Sequence, residues 1–402
     1  MVEDFFSKED FLTLKNNENL IYLDNAATTQ THRWVVERMN NYYNYNRATS
    51  HRGDYPLSHL VTDDYLNARV QVADLVNVPS ENIMFTTGAT QGLNYVAEWC
   101  KNVPVVIISE AEHSSNIIPW LTQGRTVENG RLKIIPIKIF SDRSHGLDLD
   151  YANKVIHQHP GSVLSITTNS NATGFSSEWE TLIDMAHSMG SRVCLDITQS
   201  IAHKEIDLTK CQAEWAVFSA HKMYGPTGIG ALYSKFNFNT VKPIQYGGGQ
   251  VDHLDFNNIV FKNSVERMEP GTQNIAGILG FGVAAEFIRY VGYEEIRRLE
   301  YNLYRAMIEN EKINNLPLDR LYPDKEFTSI FSFRSNKYSP YDLATILGSK
   351  DVAVRSGRVC AHPFVNSLSN NGILRISIAP YNTVDDIEML GSKLEEAIQI
   401  LN

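Results

Sequence analysis

Trp215-Ala-Val-Phe-Ser-Ala-His-Lys-Met-Tyr-Gly-Pro-Thr-Gly-Ile-Gly-Ala-Leu-Tyr233 sets the architecture. Two apolar runs, Trp215 to Ser219 and Ile229 to Tyr233, flank a Gly/Pro turn and read as buried strands. Five similar runs precede them: Ile83 to Thr86, Val105 to Ser109, Leu132 to Ile139, Val163 to Thr167 and Arg192 to Asp196. Helical spacing separates most of them, and this alternation predicts an α/β protein with a largely parallel sheet of seven strands. Apolar residues return at helical spacing from Asn274 to Tyr290 and, past Gly292, through a charged stretch to Glu311, which reads as a long connector. Beyond it, Phe327 to Phe333 and Ile373 to Ile378 read as strands beside helices near Tyr341 to Leu347 and Thr383 to Leu401, a smaller α+β domain. The division expected is a large domain over 21–290, a small domain over 291–402, and an N-terminal segment, 1–20, packing on the small domain or on a partner subunit.

Composition removes several function classes. The 402 residues hold 36 Lys plus Arg against 46 Asp plus Glu, a net charge of −10, so no basic footprint exists for nucleic acid. Hydrophobic residues make up 43% and charged residues 20%, which places the chain with folded globular proteins rather than disordered ones. The longest aliphatic run, Val105 to Ile108, falls far short of the roughly 20 residues of a membrane-spanning helix, so no membrane partner is expected. The acidic start, Met1-Val-Glu-Asp, lacks the pattern of a secretory signal. The four cysteines, Cys100, Cys194, Cys211 and Cys360, show neither zinc nor redox-pair spacing, so no metal is expected and reduced thiols in the cytoplasm fit best.

Lys222 is the residue that local structure does not explain. A turn favours Gly, Pro, Asn or Asp for its backbone, and a strand end favours an apolar side chain. A solvated loop lysine is the bland alternative; a lysine at a sheet edge can also form a Schiff base with a carbonyl cofactor. If that cofactor is pyridoxal phosphate, its ring nitrogen needs an anion. Asp196 ends a strand where parallel-sheet enzymes carry catalytic side chains, although it could equally cap the helix that follows. Gln199, three residues on, could bond the ring hydroxyl. The turn Thr86-Thr-Gly-Ala-Thr-Gln-Gly92 lies between a strand and a helix, so the backbone at Ala89 and Thr90 offers a phosphate cradle, or simply a helix cap. Ser219 and His221 could add donors, and His113 could stack on the ring and relay protons, or be a surface histidine.

These stretches together carry a resemblance. The chain resembles a fold-type I pyridoxal phosphate enzyme of the class V aminotransferase superfamily, and is most similar to the cysteine desulfurases of the selenocysteine lyase-like subfamily. The likeness runs from about Tyr22-Leu-Asp-Asn-Ala-Ala27 to about Ser377. It rests on the Lys222 block, Glu112-His-Ser-Ser-Asn-Ile-Ile-Pro-Trp120, Asp196-x-x-Gln199, Glu269-Pro-Gly-Thr-Gln-Asn274 and Arg355-Ser-Gly-Arg-Val-Cys360. The resemblance implies that Lys222 carries the Schiff base, His113 stacks on the ring, Asp196 pairs the pyridine nitrogen and Gln199 meets the ring oxygen. It implies Thr90, Ser219 and His221 at the phosphate, with Thr272 reaching it from the other subunit of a homodimer. Asn171 would lie beside the cofactor and the substrate carboxylate.

Arg355 and Arg375 match the family's contacts to that carboxylate, a task suited to a planar guanidinium, with a structural ion pair as the alternative for Arg375. Cys360 matches the family's nucleophile. The reaction implied converts L-cysteine to L-alanine, leaves a persulfide on Cys360, and hands the sulfur to an acceptor protein. Nearby Arg358 and His362 are candidate cations for lowering the thiol pKa. The subfamily commonly carries two histidines where this chain has Arg358-Val359, a departure that bears on the acceptor and on the choice between cysteine and selenocysteine. A C-S or selenocysteine lyase with Cys360 as bystander, or a non-catalytic scaffold, are the competing readings.

Overall fold

The structure, a computed structural model, describes residues 5–51, 53–125, 132–137, 147–321 and 327–402. The apolar runs become strands because alternate side chains find apolar cover on opposite faces. Ile107, Leu164, Leu195, Ala216 and Ala231 enter one core, whereas Val106, Val163, Cys194, Val217 and Leu232 enter another. Seven strands result: β1 (Ile83–Thr86), β2 (Val105–Ser109), β3 (Lys133–Ile137), β4 (Val163–Thr167), β5 (Arg192–Asp196), β6 (Trp215–Ser219) and β7 (Gly230–Ser234). Their order is β1-β7-β6-β5-β4-β2-β3, and β7 alone runs antiparallel to its neighbours. All seven expected strands are present with ends moved by a residue or two; 138 and 139, expected to extend β3, lie outside the described residues.

Helix Ala89–Trp99 covers the face of Val106 and Val217 through Leu93 and Val96. Helices Pro56–Leu75 and Ile275–Val291 pack on the opposite face, with Val61, Ala68 and Val72 against the core that holds Ile278, Phe281 and Ala285. The small domain builds a separate core on an antiparallel sheet of β8 (Asp319–Leu321), β9 (Ile330–Arg334), β10 (Arg355–Gly357) and β11 (Ile373–Ser377), ordered β8-β9-β11-β10. Helix Val384–Leu401 closes it, begun by a reciprocal capping box between Thr383 and Asp386.

The packing divides the chain differently from the expected boundaries. Ile21 and Leu23 are buried in the small-domain core, because Ile21–Tyr22 pairs in parallel with Val352–Ala353. Phe6, Phe11 and Leu14, from the segment expected to sit on the small domain or a partner, join the large-domain core, while Lys8 bonds Asp386 of the small domain at 2.7 Å. Residues 1–4 of that segment lie outside the described residues. Helix Tyr293–Glu309 is the crossover, with Ile296 in the large core and Leu303 and Met307 in the small one.

A buried ion pair anchors the β1 edge. Arg69 meets Glu269 through two parallel bonds of 2.6 and 2.8 Å, and Glu269 also accepts from the Tyr65 hydroxyl and the Phe85 amide. Both side chains are almost fully buried. Removing one partner strands the other charge, so Glu269→Ala is expected to cost about 3–5 kcal/mol. Breaking the exposed Arg298–Glu295 pair in the same way should leave stability almost unchanged, because water and salt screen it. Denaturant midpoints of the two variants measure the difference, and equal midpoints would contradict it.

Candidate active site

Thr167, Asp196 and Ser219 end three adjacent strands, so their side chains gather beyond the carboxyl edge of the sheet, where open α/β sheets bind ligands. The chain leaves β6 in a single 3-10 turn, Ala220–Lys222. Two glycines shape this corner. A Cβ at Gly225 would lie 2.8 Å from the Ala220 carbonyl, and one at Gly230 would lie 2.5 Å from the Phe218 carbonyl and 2.7 Å from the Gly88 Cα. The close approach at Gly230 draws in Gly88, and with it the N-terminus of helix Ala89–Trp99.

One cavity of about 310 Å³ results, lined by Ala89, Thr90, His113, Asn171, Asp196, Gln199, Ser219, His221, Lys222, Arg355, Cys360 and Arg375. Every expected site residue but one is therefore brought together. Thr272 is exposed and lines other cavities, one shared with Thr49, His51, Lys262 and Glu266.

The Lys222 amine makes no hydrogen bond among the described residues. Burial pushes its pKa down to about 8, against the opposing pull of Asp196. His113 and His221 are both driven to about 4, first by burial and then by the Lys222 charge, so both are neutral at pH 7. His113 Nδ1 accepts the Ser115 amide at 3.1 Å, which assigns the ring hydrogen to Nε2. Asp196 Oδ1 accepts the Thr198 amide at 3.1 Å within a turn, and no helix follows before Leu208, so the helix-cap alternative does not hold; among the described residues Oδ2 takes no bond. Gln199 Nε2 donates to the Ala26 carbonyl at 2.8 Å. Ser219 Oγ accepts from the Ala89 amide at 2.8 Å, which leaves its own hydrogen to donate. Thr90 and Ser115 share a hydroxyl contact of 2.8 Å.

The small domain delivers the remaining side chains. Arg375 is 2% exposed and does not present an open fork: Nη1 donates to the Asn171 carbonyl at 2.8 Å, Nη2 meets Asp24 at 3.0 Å, and Nε is without a partner among the described residues. Arg355, half-exposed, binds the same Asp24 at 3.0 Å. Cys360 is exposed on a loop tip where Val359 and Cys360 both take positive φ, 43° and 58°. Asn171 Nδ2 and the Ser114 amide donate to the carbonyls of Val359 and Cys360 at 2.6 and 2.7 Å. Arg358 donates to Asn366 at 2.7 Å.

Sequence reasoning assigned no role to two residues here. Asp24 lies between buried Leu23 and Asn25, an acid in an otherwise enclosed stretch, and that contrast was its signal. Glu112 is wholly buried under the His113 turn, bonded by Ser109, the Asn116 amide at 2.7 Å and the Thr167 backbone at 3.0 Å. Burial raises its pKa to about 7.

An unpartnered amine for an aldehyde, a carboxylate oxygen without a donor, and a helix N-terminus ringed by Ser219, Thr90 and His221 for a phosphate form a donor set that fits pyridoxal phosphate. The buried Thr198 hydroxyl, also on the cavity wall, has no partner among the described residues. Fold and site thus define a fold-type I enzyme of the pyridoxal phosphate class. A sequence profile of the aminotransferase class-V family matches residues 21–390, and the chain belongs to that family. A cysteine desulfurase of Synechococcus elongatus is 33% identical over 96% of this chain, which spans 62% of that protein; one of Pectobacterium carotovorum is 31% identical over 96% of this chain and 95% of its own. The apo structure of a cysteine desulfurase from Thermococcus onnurineus superposes with a TM-score of 0.90 at 32% identity, covering 99% of this chain and 98% of its own. A cysteine desulfurase from Escherichia coli gives 0.87 at 28%, covering 98% of each.

The Lys222 pKa has a stability consequence. Its folded value lies below the ordinary lysine value of 10.5, so the protonated amine costs stability at every pH below about 8, and the cost is relieved as pH rises from about 8 to 10.5. In cofactor-free protein, Lys222→Met is expected to gain about 2–3 kcal/mol at pH 7. Unfolding midpoints across this range should show the gain fade; a constant gain contradicts burial as its cause.

Proposed function

We propose that this chain is a pyridoxal-phosphate-dependent cysteine desulfurase that converts L-cysteine to L-alanine and passes sulfur from a Cys360 persulfide to an acceptor protein. The observation that carries the reading is the shared cavity: Cys360 and Arg375 of the small domain line the same space as Lys222 and Asp196 of the large one. Bound through its aldehyde to Lys222, pyridoxal phosphate would supply an electron sink that acidifies the substrate α-carbon. Asp196 Oδ2 would hold the ring nitrogen protonated, and His113 would lie against the ring. Ser219, His221, Thr90 and the Ala89 amide region would take the phosphate, and Gln199 the ring oxygen.

The remaining steps belong to the chain. Arg375, with Arg355 and Asn171, orients the substrate carboxylate. Lys222 Nζ takes the α-proton; its lowered pKa leaves part of it as free amine near neutral pH. His113 Nε2 carries a proton that it can donate to the substrate. Cys360 Sγ attacks the substrate sulfur: an S–S bond forms, the C–S bond breaks with its electron pair leaving on the carbon side, and that carbon takes up a proton to give alanine. Exposure of Cys360 supports transfer of the sulfur to an acceptor protein.

A homodimer completes the reading. Thr272 stands exposed and away from the Lys222 of its own chain, which supports its serving the phosphate of a partner's site. Among the described residues no single helix is long and apolar enough to cross a membrane, and the thiols are unpaired, which supports a cytoplasmic enzyme.

Incubation with L-cysteine is expected to yield alanine and a one-sulfur mass adduct on the Cys360 peptide. Cys360→Ala should abolish both while keeping the blue-violet absorbance of the bound cofactor, and Lys222→Ala should lose that absorbance. Full alanine formation by Cys360→Ala would replace this reading with that of a C-S lyase.

A further inference from the structure

We propose that Asp24 sets the charge selectivity of the carboxylate subsite. It is a fixed counter-anion between Arg355 and Arg375 that leaves one positive charge, enough for an amino acid with an uncharged side chain and too little for one with a second carboxylate. The inference rests on the desulfurase reading only for the identity of the substrate.

The geometry is that of one carboxylate serving two cations. Asp24 Oδ1 accepts from Arg375 Nη2 at 3.0 Å, while Oδ2 accepts from Arg355 Nε at 3.1 Å and lies 3.0 Å from its Nη2 as an ion pair. Both guanidiniums line the Lys222 cavity. Arg375 retains an unpartnered, buried Nε, so its capacity for an anion is not exhausted. Asp24 itself cannot turn away cheaply. The preceding residue is bonded on both sides, Leu23 N to the Ala353 carbonyl at 2.9 Å and Leu23 O from Ser377 N at 2.8 Å, and Asp24 bridges directly to Ser377. Arg355 differs, with 49% of its side chain exposed, so it can pivot toward a ligand while Asp24 holds Arg375. Burial draws the Arg375 pKa down and Asp24 opposes that draw, so the carboxylate also keeps the buried cation charged.

Two guanidiniums against one resident carboxylate leave a single positive charge. A ligand with one carboxylate neutralises it; a second carboxylate meets Asp24 without a compensating cation in a partly desolvated site, where like charges repel more strongly than in water. Asp24 acts through the arginines, so it is a specificity-determining residue and touches no reacting atom.

Titration calorimetry of the holoenzyme with mercaptopropionate, one carboxylate, and mercaptosuccinate, two, reads this directly. Neither has an amine to engage Lys222. The wild type should prefer mercaptopropionate. Asp24→Asn, which frees a second positive charge, should move the affinity ratio toward mercaptosuccinate by about tenfold or more. Adding Arg355→Gln restores the single charge and should return the ratio to the wild-type value. A merely structural Asp24 would weaken both ligands alike. An unchanged ratio in Asp24→Asn, or no return in the double variant, overturns the proposal. Should Asp24→Asn fail to fold, Arg355→Gln alone decides: Asp24 then neutralises Arg375, and mercaptopropionate should bind about tenfold more weakly, with unchanged binding as the refuting result. The titrations need no turnover, so this selectivity without alanine formation would sink the desulfurase reading and leave the role of Asp24 intact.

Discussion

Ser377 bonds the N-terminal strap through both its backbone and its side chain. Its amide donates to the Leu23 carbonyl at 2.8 Å, its carbonyl accepts from Asn25 Nδ2 at 2.7 Å, and its hydroxyl accepts from the Ala26 amide at 2.9 Å. The same strap continues to the Lys222 turn, where the Thr29 amide and the Thr28 hydroxyl donate to the His221 carbonyl and the Tyr224 amide donates to Thr29 Oγ1. One end of a short segment thus holds the strand bearing Arg375, and the other holds the turn bearing Lys222. Side chains in a strand alternate faces, so a slip of one residue at Ser377 would turn Arg375 away from the cavity. The distance between the lysine and its arginine is therefore set by backbone and side-chain hydrogen bonds that are largely buried, where leaving a donor unpaired is costly.

Three carboxylates near this axis, Asp196 and Glu112 buried and Asp24 partly so, divide by their partners. Asp24 answers two guanidiniums, and Asp196 faces the Lys222 charge. Glu112 has only neutral donors, namely Ser109, Asn116 and the Thr167 amide, and its pKa climbs to about 7 because desolvation goes uncompensated by a cation. Glu112 accordingly serves as a clamp. It ties the end of β2 to the end of β4, with Asn116 passing the link on to Ser165 and Trp120, and so fixes the turn that presents His113. Charge near the reacting centre is concentrated where a ligand can share it, and the supporting layer beneath is close to neutral.

The large sheet was legible because its strands are buried on both faces, so Val105 to Ser109 or Trp215 to Ser219 stand out as short apolar runs whatever surrounds them. Lys222 was legible for the opposite reason, as a side chain that its local backbone does not require, whereas Asp196 read equally as a helix cap and Cys360 gained its role only through the resemblance. The small-domain edges were not legible. Arg355–Gly357 and Asp319–Leu321 are three-residue strands with no periodicity to detect. The hairpin Val251–Leu254 with Ile259–Phe261 is largely exposed and pairs only with itself. Asp24 could be quoted but not understood, because its partners lie more than 300 positions away and an ion pair across that separation leaves no spacing to read. The packing of Ile21 and Leu23 into the small domain was hidden similarly, since two-residue pairing with Val352–Ala353 is a tertiary event.

The cysteine loop shows how a strained backbone can be maintained at such a site. Left-handed φ at Val359 is unfavourable for a β-branched residue, and conformations of this kind cost about 1–3 kcal/mol each. They persist where surroundings over-determine them. Here the carbonyls of Val359 and Cys360 are engaged by Asn171 Nδ2 and by the amide and hydroxyl of Ser114. Ser114 opens the turn after His113, and Asn171 also accepts from Arg375, so the loop is referenced to the segments that line the cavity. The small domain is thereby registered to the large one twice, through the strap at Ser377 and through the thiol loop itself. The second registration would fail with the first, since any displacement of β11 moves Arg375 off Asn171 and withdraws a bond that steadies the side chain holding Val359.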